Sequence, residues 1–188
     1  RFSMLTFSCR FNKKSLEMMI DEIFPDVLLI KSNLHNDKRG YFFELYNKKS
    51  FVDIGINNNF IQDNISFSRS KNTLRGLHAQ VSPYEQSKLI FLLAGSILDV
   101  FIDIRKESKT FGKYFSINLT NLGDCLFIPK GFLHGFCTLE ENTVVGYKVD
   151  EYYKAESETG IVWNDQDLNI EWPFSSMPIV SEKDSRLS

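Results

Sequence analysis

Three histidines occur in 188 residues, and two of them sit in strings that suit chemistry. His78 lies in "TLRGLHAQ" and His134 in "GDCLFIPKGFLHGF". Imidazole is the side chain whose ordinary pKa is nearest neutrality, so His78 is a candidate base. Ten residues on, Lys88 is an ammonium able to hold negative charge developing on an oxygen. Tyr147, in "VVGYKV", carries a phenol that can donate or accept a proton. "WNDQD" offers Asp165 and Asp167, either of which can orient an imidazole. Arg39 and Arg75 each precede a glycine, and their guanidinium forks suit phosphate or diphosphate. Each residue also has a plain structural reading. A lone strand histidine is more often structural than catalytic. Tyr147 reads equally as a core aromatic with its hydroxyl at a rim. Lys88 and Arg75 fit strand ends, and Asp165 fits a turn. Chemistry requires all of them to converge on one interior.

The elements that would bring them together are short strands. "VLLIKS", "YFFELY", "FIQDNISFSRS", "LRGLHAQ", "KLIFLLAG", "SILDVFIDIR", "KYFSINLT", "CLFIPKGFLHGFCTL" and "NTVVGYKVDEYY" read as strands separated by Gly, Pro, Asn and Asp turns. In "SILDVFIDIR", Leu98, Val100, Ile102 and Ile104 share one face, and Asp99, Phe101, Asp103 and Arg105 share the other. "NKKSFVDIG" reads as a short helix closed by Gly55, and the tail "GIVWNDQDLNIEWPF" reads as loop. Seventeen Phe and seven Tyr favour strands and fill a sandwich or barrel. The pattern predicts one all-β domain.

Composition excludes several classes. The net charge is −2 with mixed signs and no Lys/Arg block, which argues against nucleic acid. No apolar run approaches the ~18 residues of a membrane span. Cys9, Cys125 and Cys137 are odd in number and form no CxxC, so a disulfide framework or zinc ribbon is not expected. Free thiols suit the reducing cytoplasm. Residues 1–19 read as an N-terminal extension or expression remnant, and 20–188 as the domain.

The spacing in "GDCLFIPKGFLHGF" resembles the second sequence motif of the cupin superfamily. Gly123 turns into a strand, Pro129-x-Gly131 makes a tight turn, and His134 follows. The resemblance implies a cupin-type double-stranded jelly roll with a few short helices. Metal-binding cupins carry His-x-His and a Glu in an earlier segment. Here that segment is "GLHAQVSPYEQSKL", with Gln80 at the second imidazole position. A neutral amide is a poor transition-metal ligand. Only His134, His78 and Glu85 remain, and the Lys88 ammonium would repel a dication. No metal is expected; a metal-dependent cupin enzyme is the alternative.

"RGYFFE", "FIQDNISFS", "LRGLHAQ", "QSKLIFLLAGSILDVFIDIRKESKTFGKY", "LFIPKGFLHGF", "YKVDEYY" and "GIVWNDQDLNIEWP" run in order over roughly residues 20 to 174. Together they resemble the dTDP-4-dehydrorhamnose 3,5-epimerase family of nucleotide-sugar epimerases. The resemblance implies a cofactor-free isomerase that inverts C3 and C5 of a nucleoside-diphosphate-linked 4-keto sugar. It also implies a homodimer in which an N-terminal strand reaches the neighbour. It assigns His78 as catalytic base, Asp165 as its orienting carboxylate, Tyr147 as the acid on the opposite face of the sugar, and Lys88 as the residue near the keto oxygen. Arg39, Glu44, Gln62, Asn64, Arg75 and His134 match positions lining the substrate site. Expected substrates are a dTDP-hexose or a GDP-heptose, in the synthesis of capsule, lipopolysaccharide or O-antigen sugars; a C3-only epimerase is the nearest alternative. One departure is Ala79, where the family commonly has an aromatic, a change expected to open space near the sugar.

Overall fold

The computed structural model describes residues 18–174 and 176–187. The segment 1–17, with Cys9, lies outside the described residues. The first strand, β1, is Met18–Phe24, so Met18 and Met19 belong to a sheet. It pairs with β2 (Val27–Ser32). A small exposed hairpin follows, β3 (His35–Asp37) and β4 (Gly40–Phe42). The expected strand "YFFELY" is thus cut short at Phe42. Among the described residues the hairpin pairs with no third strand, and Tyr41 and Phe42 are exposed.

Helix α1 (Lys48–Asp53) starts where expected because the Asn47 side chain accepts hydrogen bonds from the Lys49 and Ser50 amides. The remaining strands are β5 (Gln62–Ser68), β6 (Leu74–Gln80), β7 (Lys88–Ala94), β8 (Ile97–Asp103), β9 (Tyr114–Leu119), β10 (Asp124–Ile128), β11 (Phe132–Thr138), β12 (Thr143–Val149) and β13 (Glu158–Gly160). They form a six-stranded sheet, β1-β2-β10-β7-β12-β5, and a five-stranded sheet, β13-β6-β11-β8-β9. All pairings within both sheets are antiparallel. This is the all-β jelly roll that the patterning and the cupin-like motif imply.

The core between the sheets takes Val27, Leu29, Ile90, Leu126 and Val145 from one sheet and Ile97, Phe101, Leu119, Phe132 and Phe136 from the other. Burying each such side chain contributes roughly 1.5–3 kcal/mol. Two further apolar layers lie outside the sandwich. One packs α1, through Phe51, on the six-stranded sheet. The other packs the tail, through Leu168, Ile170 and Trp172, on Leu77, Val100 and Ile102 of the five-stranded sheet.

The turn between β10 and β11 works as its motif suggests. Gly131 has φ +85°, and a Cβ there would meet the Arg105 side chain at 2.4 Å. The turn passes the chain from β10 of the six-stranded sheet to β11 of the five-stranded one, where His134 is in register with His78. The two motif histidines therefore stand side by side on neighbouring strands.

Candidate active site

Between the sheets lies an open cavity of about 530 Å³, a size suited to a small-molecule ligand. Its wall includes His78 and Arg75 from β6, His134 from β11, Lys88 from β7 and Tyr147 from β12. Five of the ten residues singled out in the sequence therefore share one space. They come from facing sheets: the imidazoles from the five-stranded one, Lys88 and Tyr147 from the six-stranded one.

The His78 ring is oriented by a carboxylate, but not by Asp165. His78 Nε2 lies 2.9 Å from Asp184 Oδ1. The other carboxylate oxygen, Oδ2, accepts the Gly76 amide at 3.0 Å. Asp184 is 5% exposed and sits in a 3-10 turn, Asp184–Arg186. The preceding chain is held to β6 by reciprocal backbone bonds, Leu74 N–H to Ile179 O and Ile179 N–H to Asn72 O. Asp165 instead closes its own turn, where its Oδ1 accepts the Asp167 and Leu168 amides at 3.0 and 2.9 Å. The turn-former reading of "WNDQD" is the one that describes it, and neither Asp165 nor Asp167 lines the cavity.

Burial lowers the His78 pKa, while the negative charges of Asp184 and Glu158 pull it back up; the net position is below the ordinary 6.5. At neutral pH the imidazole is therefore largely unprotonated, as a base must be. Lys88 is half-buried on the cavity wall. Burial brings its ammonium down to about 8, against the opposing pull of Asp99 and Glu158. Lys88 Nζ also lies 3.4 Å from the His78 carbonyl oxygen. Burial raises the Tyr147 phenol above its ordinary value, with Arg75 acting against the rise, so it stands protonated as a donor.

His134 forms a second imidazole–carboxylate pair, with Nε2 2.8 Å from Asp99 Oδ2. Asp99 is fully buried. Arg75 reaches back to β5, donating to Ser68 Oγ at 3.3 Å and to the Phe67 carbonyl at 3.1 Å. On the same face of β5 as the cavity-lining Ser66 stand Gln62 and Asn64, with Gln62 Nε2 donating to Asn64 Oδ1 at 2.9 Å. Asn64 is in register with Tyr147. Gln62 and Asn64 thus extend the row beyond the cavity wall.

Arg39 and Glu44 are elsewhere. The Arg39 side chain is 84% exposed and paired with Asp37 of its own hairpin. Glu44 is exposed and accepts from Asn47 Nδ2. Neither lines the cavity of its own chain. Ala79 packs in the outer layer with Leu98 and Ile170 and also borders the cavity.

Sequence reasoning missed Asp184, Asp99, Glu158 and Tyr153. Glu158 and Tyr153 line the cavity and are joined by a 2.8 Å hydrogen bond. Lys183 pairs with the same Glu158 carboxylate. Among the described residues, no group of three or more His, Cys, Asp or Glu is placed to hold a metal ion. No helix among them is long and apolar enough to cross a membrane.

Comparison with known proteins converges on one family. Residues 22–188 match the family model of dTDP-4-dehydrorhamnose 3,5-epimerase. The dTDP-4-dehydrorhamnose 3,5-epimerase of Salmonella typhimurium is 46% identical over 170 residues, which is 89% of this chain and 92% of that protein. The crystal structure of the Bacillus anthracis epimerase with TDP and pyrophosphate bound superposes with a TM-score of 0.87. It is 46% identical, and the match covers 91% of this chain and 98% of that one. The Legionella pneumophila epimerase in complex with dTDP-4-keto-L-rhamnose matches with a TM-score of 0.83 at 39% identity, covering 89% of each chain.

Proposed function

Since the chain belongs to the dTDP-4-dehydrorhamnose 3,5-epimerase family, and is an isomerase of nucleotide sugars, we propose that its substrate is a dTDP-linked 4-keto-6-deoxy hexose inverted at both C3 and C5. The observation that carries this reading is the pairing of His78, braced by Asp184, with Tyr147 across one cavity. A ketone at C4 acidifies the C–H bonds at C3 and C5. His78 removes the proton from one face of the ring, leaving an enolate with its charge on O4. Lys88 stabilises that oxyanion; losing one such donor typically costs about 10²–10³-fold in rate. Tyr147 returns a proton from the opposite face, so the centre inverts. Solvent then takes the proton from His78 and returns one to Tyr147, and the reset pair serves the second centre. Arg75 and His134, with Gln62 and Asn64 beside them, hold the rest of the nucleotide sugar. None of these steps draws on a metal or cofactor.

Arg39 and Glu44 fit this scheme through a homodimer. Neither reaches the cavity of its own chain, and the hairpin that carries Arg39 is exposed. In the dimer the arm delivers Arg39 to the partner's cavity, where its guanidinium meets the diphosphate. The exposed apolar side chains Ile61 just before β5, Ile65 and Phe67 on it, and Tyr41 and Phe42 on the hairpin support an association of copies. Two buried free thiols, Cys125 and Cys137, fit a reducing cytoplasm, where the product feeds bacterial surface-polysaccharide synthesis.

The test is incubation in D2O with dTDP- and GDP-linked 4-keto-6-deoxy sugars, followed by NMR and mass spectrometry. Deuterium is expected at C3 and C5 of the dTDP sugar. Label at C3 alone makes the protein a C3 epimerase, and turnover only of a GDP-heptose reassigns the substrate. No label with either nucleotide removes the reading. Activity that requires a stoichiometric tightly bound metal ion would replace it with the metal-dependent alternative.

A further inference from the structure

Gln80 occupies the position where metal-binding cupins carry their second imidazole, and its side chain is fully engaged. It is 5% exposed. Its Nε2 donates to the carbonyls of Tyr84 and Tyr152, at 2.6 and 3.1 Å. Its Oε1 accepts the Lys154 amide at 2.6 Å. Two donors and one acceptor fix the amide's orientation, since a flipped amide would set oxygen against two carbonyls. Three backbone groups on two different loops are thereby satisfied by one side chain. An imidazole cannot donate twice and accept once, glutamate has no donor, and methionine has neither.

The loops it joins form the mouth of the cavity. One, residues 81–87, connects β6 to β7 and supplies Gln86 to the wall; the other, residues 150–154, follows β12 and supplies Tyr153. Further bonds run between the same two loops. Gln86 Nε2 donates to the Glu151 carbonyl at 2.7 Å, and the Ser87 amide donates to Asp150 Oδ1 at 2.6 Å. The Lys154 ammonium lies over the Tyr84 ring, 5.5 Å from its centroid. Gln80 and Ser87 are the buried members of this clasp, and Gln80 alone engages three backbone groups with its side chain.

We propose that Gln80 is a positioning residue that holds these two loops together as one preformed wall of the substrate site. It acts on substrate capture rather than on proton transfer. This rests on the epimerase reading for its substrate, but the clasp has its own readout. A preformed wall spares the substrate the entropic cost of ordering the loops, so its loss shows mainly in KM.

The experiment compares wild type, Gln80→Met and Gln80→Glu by D2O exchange kinetics on the dTDP-linked 4-keto sugar. Both variants are expected to raise KM by about tenfold or more while kcat stays within about threefold. An unchanged KM, or a fall in kcat at constant KM, overturns the proposal while leaving the epimerase reading intact. Wild type that exchanges no C–H bond overturns the epimerase reading instead. Amide hydrogen exchange on the free wild-type protein scores the clasp in that case, or if the variants do not fold. The Tyr84, Ser87 and Lys154 amides are expected to open together with one common protection factor, and independent fast exchange of Lys154 overturns it.

Discussion

At the scale of single residues, the site is a set of charges adjusted by burial. His78 works as a base only when neutral, so the rate should rise with pH through a pKa below 6.5. Lys88 works only when protonated, so the rate should fall again above about pH 8. A bell with those limbs is the expected kcat/KM profile. Asp184→Asn removes a negative charge that raises the His78 pKa, so its acid limb should move to lower pH while the maximal rate drops. Loss of an oriented base costs about 10²–10⁴-fold, and His78→Asn should fall at the severe end. An Asp165→Asn variant should leave both limbs in place. Lys88→Met should abolish the alkaline limb, and a profile that keeps that limb would assign it to another group. His78, Lys88, Tyr147, Arg75 and His134 were legible because each lies inside a recognisable string. Asp184 was not. It lies in "SEKDSR", beyond the stretch that carries the resemblance, and nothing local distinguishes it from a solvated acidic residue.

At the scale of elements, most strand positions were readable and faces were not. β6 and β12 fall within the segments that alternation marked. In β8 the apolar face, with Leu98, Val100 and Ile102, packs outward under the tail, and the face with Asp99, Phe101 and Asp103 turns inward. Alternation reveals two faces, but which one meets the interior depends on what covers the other, and the covering tail read only as loop. β1 escaped notice because exposed Met19, Asp21 and Glu22 interrupt its apolar content. β6 carries the tightest local constraint. Gly76 has φ +109°, and a Cβ there would lie 2.6 Å from Gly135 Cα and 2.7 Å from the His134 carbonyl oxygen. Gly76→Ala would force apart the two strands that carry both histidines and displace an amide that Asp184 accepts. It should cost about 2–5 kcal/mol, from left-handed strain of ~1–2 plus overpacking of ~1–3. Urea denaturation reads the stability loss, and activity should fall further than the residual folded fraction accounts for.

At the scale of the whole molecule, the expected unit is two chains with two shared sites. Sedimentation should give twice the chain mass at micromolar concentration. Sharing makes a sharper test possible. Arg39→Ala and His78→Asn chains, each impaired alone, should recover about a quarter of wild-type activity when mixed as subunits, because one site in each mixed dimer keeps both residues. If Arg39 served its own chain, no mixed site would be whole and activity would not recover. The sequence could not state this from its residues. A strand and its hairpin look the same whether their side chains end in their own cavity or a neighbour's.

The origin of the His78 partner has a consequence for how the protein comes to life. Asp184 lies 106 residues downstream of the histidine it braces. During synthesis every strand of both sheets leaves the ribosome before that carboxylate does. A nascent chain can assemble its sandwich and still be inert, and activity should switch on as a late, single event. The same geography gives a protease a way to silence the finished enzyme: one cut beside Met177, which is 80% exposed, would sever the tail from a barrel that stays folded.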